Sequence, residues 1–289
     1  MRRGTTSRRL VVVPSAGRTL AVAVGDDVIV AWPHIAPHVP GAFAELLQPD
    51  EHLAARAVAV PDAPPDARRV INAHLHVLHL ASGTLCVHAV AMHRPGQGAV
   101  LLLGGHGAGK TLAGLALAAR GWQWLAGDVT LLDVAADGGP FVRGGTTAIL
   151  GRRGAVRRWF PDLDLPEAGP VVVDLRRSNT SAVGPGRVPV VAAVLVCLDA
   201  DPSAAGGVLG RVDRHTAATA WLRGSGHLLD RLLDAGEQPL RSLEDEHAQR
   251  RRIRYVHALA GSTGFYAVRG TPYDVSRRVE QLVEDRWTR

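Results

Sequence analysis

The chain has 289 residues, of which 46% are apolar, enough to bury a substantial core, so a disordered chain is excluded. Its longest apolar stretch, at 188–198, is far short of the roughly 20 residues that cross a membrane. The net charge of +6 comes from scattered basic residues, with a single tight cluster at 249–254 that favours a solvated helix face. We therefore predict that nucleic acid is not a partner. The apolar run at 10–13 is too short for a secretory signal, and we expect a cytoplasmic protein.

The N-terminal part of the chain predicts a small lobe rich in β-strands. Strands are predicted at three apolar runs, 10–13, 19–24 and 28–31. Proline-rich connections then continue as far as Pro65. We place a domain boundary there, with the small N-terminal lobe at 1–65 and a catalytic domain at 66–289.

The larger part of the chain alternates between predicted strands and predicted helices. Further strands are predicted at 85–92, 99–103, 122–125, 129–132, 171–175, 190–198 and 264–268. Helices are predicted at 66–80, 112–120, 215–223 and 273–285. This alternation predicts an α/β fold with a central mixed β-sheet.

A phosphate-binding motif lies between the predicted strand at 99–103 and the predicted helix at 112–120. Its residues are Gly104-Gly105-His106-Gly107-Ala108-Gly109-Lys110-Thr111, which match G-x-x-x-x-G-K-[ST]. In this context the glycines let backbone N–H groups point at phosphate oxygens, and the helix dipole favours a negative charge. The predicted cofactor-binding residues are Gly105, His106, Gly107, Ala108, Gly109, Lys110 and Thr111. Thr111 also has the hydroxyl that such loops offer to Mg²⁺.

Lys110 is the only lysine in the chain, since every other basic residue is an arginine. A compact ammonium group fits between phosphates where a planar guanidinium does not. The guanine-recognition motif of GTPases, Asn-Lys-x-Asp, requires a lysine that this chain has already committed to the loop. The absence of a second lysine therefore favours ATP over GTP.

Three segments of the chain stand in a fixed order: Leu85-Cys86-Val87-His88-Ala89-Val90-Ala91, the phosphate-binding motif, and Arg120-Gly121-Trp122-Gln123-Trp124-Leu125-Ala126-Gly127-Asp128-Val129. Together they resemble the HPr serine kinase/phosphorylase family and its small relatives in biosynthetic gene clusters. A weaker similarity continues through 187–198 and 212–219. The resemblance implies an HPr kinase-like P-loop core.

That resemblance implies an ATP-dependent kinase that transfers the γ-phosphoryl group to a serine or similar hydroxyl of a peptide or small metabolite. ATP and Mg²⁺ are the implied cofactors, and Lys110, Asp128 and His88 are the implied catalytic residues. Asp128 would accept the hydroxyl proton or help to bind Mg²⁺ beside Thr111. A strand-end carboxylate and a structural histidine are the alternative interpretations of Asp128 and His88. Because relatives often assemble, a homo-oligomer is also an expected state.

The chain departs from the family pattern at two places. Gly127 stands where the family has the first of two adjacent aspartates, and the segment 140–146 lacks the family's metal-binding glutamate, which argues against phosphorolysis. Arg143 in that segment is either a phosphate or substrate contact or a surface arginine. Two alternatives to a kinase stay open: a nucleotide-binding regulatory or scaffold protein without catalysis, and a simple ATPase.

Overall fold

The computed structural model describes residues 8–42, 45–134, 139–165, 169–175, 187–199, 201, 207–234 and 239–287. The strands are β1 Arg9–Ser15, β2 Arg18–Val24, β3 Val58–Ala59, β4 Thr84–Val87, β5 Ala89–Arg94, β6 Gly98–Leu103, β7 Gln123–Ala126, β8 Thr130–Asp133, β9 Phe141–Gly145, β10 Leu150–Arg152, β11 Val172–Asp174, β12 Val188–Leu198, β13 Val208–Arg211 and β14 Phe265–Gly270. The α-helices are α1 Asp26–Ile35, α2 Glu51–Ala54, α3 Pro64–Ala81, α4 Lys110–Ala118, α5 Arg153–Trp159, α6 Arg214–Gly226, α7 Glu246–Ser262 and α8 Pro272–Trp287. Short 3₁₀ helices lie at Ala36–His38 and Leu240–Leu243.

A mixed sheet of nine strands forms the centre of the molecule. Its strand order is β4-β8-β9-β12-β6-β5-β7, and β14 pairs with β12 and β13. Strand β12 is parallel to β6 and to β14, whereas β5 is antiparallel to both β6 and β7. The expected α/β class with a mixed sheet is confirmed.

Alternating side chains of β6 supply both halves of the core. Val100 and Leu102 pack with α4 and α8 on one face, while Leu101 and Leu103 pack with α6 and α7 on the other. Successive side chains of a strand point to opposite faces, so a strand covered on both faces is apolar throughout. The uninterrupted apolar run before the glycine loop is therefore the central strand of a helix-covered sheet.

The strands β1, β2 and β3 form a separate three-stranded sheet. Val13 and Val22 of this sheet share one apolar cluster with Val70 and Ile71 of α3. The N-terminal sheet thus packs on a helix that belongs, by sequence, to the larger predicted domain. The boundary near residue 65 stays a prediction.

The strand predicted at 28–31 is wrong, because these residues lie within α1. The run of β-branched residues favours a strand, but Val28, Trp32 and Ile35 recur at helical spacing and are the buried positions of the helix. Tertiary packing of that apolar face overrides local strand propensity.

The strand predicted at 85–92 is divided at His88 into β4 and β5, which lie in different parts of the sheet. The basic cluster at 249–254 lies on α7, as expected, although its Arg252 is buried against Glu244 rather than solvated. Among the described residues, no helix combines the length and apolar character needed to cross a bilayer.

Candidate functional site

The glycine loop connects the end of β6 to the start of α4. Gly109, the residue before the helix, has φ +95°, and a Cβ there would lie 2.2 Å from Leu198 Cδ1. The Leu198 N–H donates to the Ala108 carbonyl at 3.3 Å, which holds the end of β12 against the loop. Only glycine combines this left-handed backbone with so close a neighbour. The curl of the loop therefore requires glycine at position 109.

The start of α4 points unpaired donors out of the loop. Within the described part of the chain, the N–H groups of Lys110, Thr111 and Leu112 make no backbone hydrogen bond, as is usual for a first helical turn. The Lys110 ammonium donates to the Gly104 and Gly105 carbonyls at 2.9 and 3.2 Å. The side chain is buried, and burial lowers the pKa of Lys110 to about 8. Apart from the charge of Asp128, carbonyl dipoles hold this ammonium among the described residues, and a buried cation of this kind favours an anionic ligand.

The turn between β7 and β8 presents Asp128. The N–H groups of Asp128 and Val129 both donate to the Thr146 hydroxyl at 3.0 Å, and the Gly127 N–H donates to the Thr146 carbonyl at 2.9 Å. A Cβ at Gly127 would lie 2.0 Å from the Ala148 carbonyl oxygen. The backbone around Ala148 therefore occupies the space that an aspartate at 127 would need.

Two histidines lie beside Asp128. His88, at the break between β4 and β5, places its ring Nε2 3.3 Å from Asp128 Oδ1. The backbone N–H of His88 donates to the Gly224 carbonyl at 3.0 Å. His227 directly follows α6 and stacks on the His88 ring, with the centroids 3.8 Å apart and the planes inclined by 15°. The possible ligand atoms of the two histidines and Asp128 all lie within 4.8 Å of one another. Two imidazoles and a carboxylate at this spacing can hold a divalent cation.

The charges of this cluster keep Asp128 ionised and His227 neutral. Burial alone would raise the pKa of Asp128, but the hydrogen bond and charge of His88, the charge of His227 when that ring is protonated, and the charge of Lys110 hold it well below the usual range. Burial, and then repulsion from His88, lower the pKa of His227 to about 3. At neutral pH the carboxylate is therefore an acceptor, and the His227 ring is an uncharged imidazole.

Two cavities adjoin the loop. One, of about 260 Å³, is lined by His88, His106, Gly107, Gly109, Lys110, Thr111, Leu112, Asp128, Leu150, Gly151, Arg152, Ala155, Val172, His227 and Arg231. The other, of about 500 Å³, lies toward α6 and is lined by His88, Leu103, Gly104, Gly105, His106, Leu195, His215, Thr216, Thr219, Ala220, Arg223, Gly224 and His227. Three histidines, His88, His106 and His227, line both cavities. Together the cavities offer the space that a nucleotide and a second substrate require.

Comparisons with known proteins give structural likenesses at low sequence identity. No protein-family model and no curated protein sequence matches the chain. Among solved structures, the Hpr(Ser) kinase/phosphatase from Coxiella burnetii is similar over 70% of this chain and 96% of its own, with 13% identical residues and a TM-score of 0.33.

The structure gathers most of the predicted site residues around the cavity of about 260 Å³. His88, His106, Gly107, Gly109, Lys110, Thr111 and Asp128 line the smaller cavity, and Gly105 lines the larger one. Ala108 lies within the loop, where its N–H donates to the Gly105 carbonyl at 3.2 Å. The roles given to these residues stay predictions.

Sequence reasoning missed His227 and Thr146. His227 lies about 140 residues after His88 and belongs to no motif, but the run of small residues before it is a signal. A Cβ at Gly224 would lie 3.0 Å from Val87 Cγ1, so the end of α6 lies close against the histidine strand. Thr146 has no comparable signal, because its role depends on backbone groups that are distant in sequence.

Arg143 is held away from the loop by other partners. Its Nε donates to both carboxylate oxygens of Asp133, at 3.0 and 3.1 Å, and its Nη1 donates to the Ala16 carbonyl at 3.2 Å. The guanidinium thus connects β8 and β9 to the turn between β1 and β2. These contacts indicate a structural role for Arg143 and argue against a phosphate contact.

Proposed function

We propose that the chain binds Mg²⁺·ATP at the glycine loop and transfers the γ-phosphoryl group to a hydroxyl of a serine-like residue in a peptide or of a small metabolite. The observation that carries this proposal is the placement of Lys110 and Asp128 in the wall of one cavity of about 260 Å³. A cation for the phosphates and an anion for the hydroxyl are then available on either side of the transferred group.

The residues present fit a bound nucleotide. The open first turn of α4 and the Lys110 ammonium suit a polyphosphate, because both favour negative charge at the same point. A cavity adjoins the curl of the loop, and the described side chains leave it open. The larger cavity beside Gly104 and Gly105 leaves space for the rest of a nucleotide or for the acceptor.

The residues present also fit a divalent cation. Thr111 and Asp128 would hold Mg²⁺, with His88 and His227 next to them as further ligands or as partners of the carboxylate. When bound, the ion neutralises charge on the phosphates.

Asp128 is suited to orient the acceptor and to take its proton. As the hydroxyl oxygen forms its bond to the γ-phosphorus, the bond to the β–γ bridging oxygen breaks, and ADP leaves with that electron pair. The hydroxyl proton passes to the Asp128 carboxylate. A carboxylate with a lowered pKa is a weak base, but the loose transition state of phosphoryl transfer needs little proton abstraction before the bond forms. His88, 3.3 Å away, holds the carboxylate in place.

Lys110 gives the most direct test of nucleotide binding. We expect Lys110→Ala to weaken the binding of a non-hydrolysable ATP analogue by roughly 100-fold or more in calorimetry, the size expected for loss of a buried charged partner. Lys110→Arg should fail similarly, because the buried side chain lies against the Gly104 and Gly105 carbonyls. Exposed Arg254 on α7 supplies the matched control, and Arg254→Gln should bind like the wild type. Equal affinity in all four proteins would refute the proposal.

Transfer separates the proposed kinase from its alternatives. The protein is incubated with Mg²⁺, γ-labelled ATP and panels of hydroxylated peptides and metabolites. Label that reaches an acceptor supports the kinase. Binding without any transfer indicates a regulatory or scaffold protein, and phosphate release that ignores the acceptor indicates a simple ATPase.

A further inference from the structure

A third cavity, of about 70 Å³, adjoins the site on the side of α3. It is lined by His38, Arg68, Arg69, Asn72, Asp128, Val129, Leu150, His227, Leu228 and Arg231. Four of these residues, Asp128, Leu150, His227 and Arg231, also line the cavity beside the glycine loop. Residues of the glycine loop line the cavities of about 260 and 500 Å³ but not this third one. Asp128 therefore stands between the glycine loop and this small cavity.

Positive charge in the small cavity exceeds what the described residues neutralise. Of its three arginines, Arg69 pairs with Asp66 at 2.6 Å and with Asp234 at 3.0 Å. Arg68 and Arg231 make no ion pair with any residue that the structure describes. Asp128 is the one carboxylate among the described residues of the lining.

The surroundings of Arg68 are those of a cation without its own anion. Burial first, and then repulsion from Arg231 and Arg69, lower the pKa of Arg68, and Asp128 only partly offsets them. Nearby, Asn72 donates from Nδ2 to the His38 carbonyl at 2.9 Å, while its buried Oδ1 accepts no hydrogen bond from any residue that the structure describes. An amide oxygen needs a donor, so a water or a hydroxyl of the ligand, and not an oxyanion, would satisfy it.

We propose that Arg68 and Arg231 bind an oxyanion group of the phosphoryl acceptor, a carboxylate or a phosphate, so that the acceptor's hydroxyl lies at Asp128. Guanidinium groups bind both oxyanions through paired charge-assisted hydrogen bonds. The cavity volume suits one such group and not a peptide chain. This inference rests on the proposed function and narrows its acceptor to small hydroxylated anions, or to a residue that carries an acidic group beside its hydroxyl.

Calorimetric titration with inorganic phosphate tests the subsite without knowledge of the acceptor. The protein is first saturated with Mg²⁺ and a non-hydrolysable ATP analogue, so that the glycine loop is filled. We expect the wild type to bind phosphate, the pair Arg68→Gln and Arg231→Gln to bind it roughly tenfold more weakly or worse, and Arg254→Gln to match the wild type. The pair Arg68→Lys and Arg231→Lys should recover part of the affinity. No phosphate binding by the wild type, or equal affinity in the glutamine pair, would overturn the subsite.

Displacement distinguishes the two sources of the oxyanion. Glycerol, glycerate and glycerol 3-phosphate share a carbon skeleton and differ in their charged group. We expect glycerate or glycerol 3-phosphate to displace the bound phosphate, and the stronger competitor identifies a carboxylate or a phosphate as the preferred group. Displacement by glycerol at equal concentration would contradict recognition of an oxyanion.

The same titration on nucleotide-free Lys110→Ala protein separates the two proposals. The subsite is supported, even where ATP binding has failed, if Lys110→Ala protein still binds phosphate and loses that binding when Arg68→Gln and Arg231→Gln are added. Conversely, the proposed function is supported and the subsite is refuted if ATP binding depends on Lys110 while phosphate binding is unchanged by substitution of Arg68 and Arg231.

Discussion

Two aspartates five residues apart have different partners: Asp128 lies in the turn before β8, and Asp133 is the last residue of β8. Burial would raise the pKa of each, and neighbouring groups lower it in both. Asp133 accepts hydrogen bonds from the Thr84 hydroxyl at 2.7 Å and from Arg143 at 3.0 Å. Asp128 faces imidazole rings and the wall of a cavity.

The partners, and not the residue type or the direction of the pKa shift, separate a structural carboxylate from a candidate catalytic one. Asp133 is surrounded by arginine and hydroxyl donors that join strands, with Arg187 a further 3.4 Å neighbour. Its lone pairs are used within the fold. Asp128 has one histidine at hydrogen-bond range and open space beside it, so that lone pairs stay available to a hydroxyl or a metal ion.

Substitution of Asp128 should have the largest effect on function. We expect Asp128→Asn to lower phosphoryl transfer about 10²- to 10⁴-fold, because the neutral amide cannot orient the acceptor hydroxyl as a carboxylate does or take its proton once the bond forms, while affinity for the ATP analogue changes little. Asp133→Asn is the matched substitution and should leave transfer near the wild-type rate. Rates from γ-labelled ATP would measure both, and an Asp128→Asn protein with normal transfer would remove this residue from the mechanism.

Substitution of Asp133 should have the larger effect on stability. Asp133→Ala leaves the Thr84 hydroxyl and the Arg143 guanidinium without their shared acceptor, and we expect a loss of about 2–4 kcal/mol in the free energy of unfolding. Asp128→Ala should lose less, because its carboxylate is partly exposed and joins no strands. Urea denaturation measures the free energy of unfolding of both variants. A lower stability of Asp128→Ala than of Asp133→Ala would contradict this prediction.

The core of the fold was predictable because its signal is local in sequence. The apolar run of β6, the glycine loop and the helix after it were all expected, and burial on both faces explains why the strand is apolar throughout. The prediction of a strand at 28–31 is wrong, because a run of β-branched residues carries no information about the apolar cluster that the buried face of α1 joins.

The candidate site was predictable only where a motif spans adjacent residues. Lys110 and Thr111 belong to one motif, and His88 and Asp128 were inferred from a resemblance. The stacking of His227 on His88 depends on how the end of α6 meets the break between β4 and β5. Pairing of that kind is set by tertiary packing and leaves only a weak trace in sequence, the small residues that precede His227.

The glycine beside Asp128 offers a smaller test, of how tightly the turn is held. We expect Gly127→Ala to destabilise the fold by about 1–3 kcal/mol, since the added Cβ would lie 2.0 Å from the Ala148 carbonyl oxygen and the backbone must shift. Gly154→Ala in α5, where nothing lies within 4 Å of the added atom, is the control and should be neutral or stabilising. Thermal unfolding compares them. A fully stable Gly127→Ala protein would show that the turn has room for a side chain at position 127.

The smallest expected effect is on the pH dependence of stability, which we assign to His227 beside Asp128 and not to Asp133. The folded pKa of His227, about 3, lies below the ordinary value of about 6.5, so the unfolded state binds more protons between these limits and stability falls as pH decreases from 6.5 toward 3. Between pH 7 and pH 6 we expect His227→Gln to lose roughly 0.7 kcal/mol less than the wild type. Asp133→Ala should keep the wild-type dependence, because Asp133, with its lowered pKa, is ionised in both states across this window. Thermal melts at the two pH values measure the difference, and an unchanged pH dependence in His227→Gln would mean that His227 is not held neutral beside Asp128.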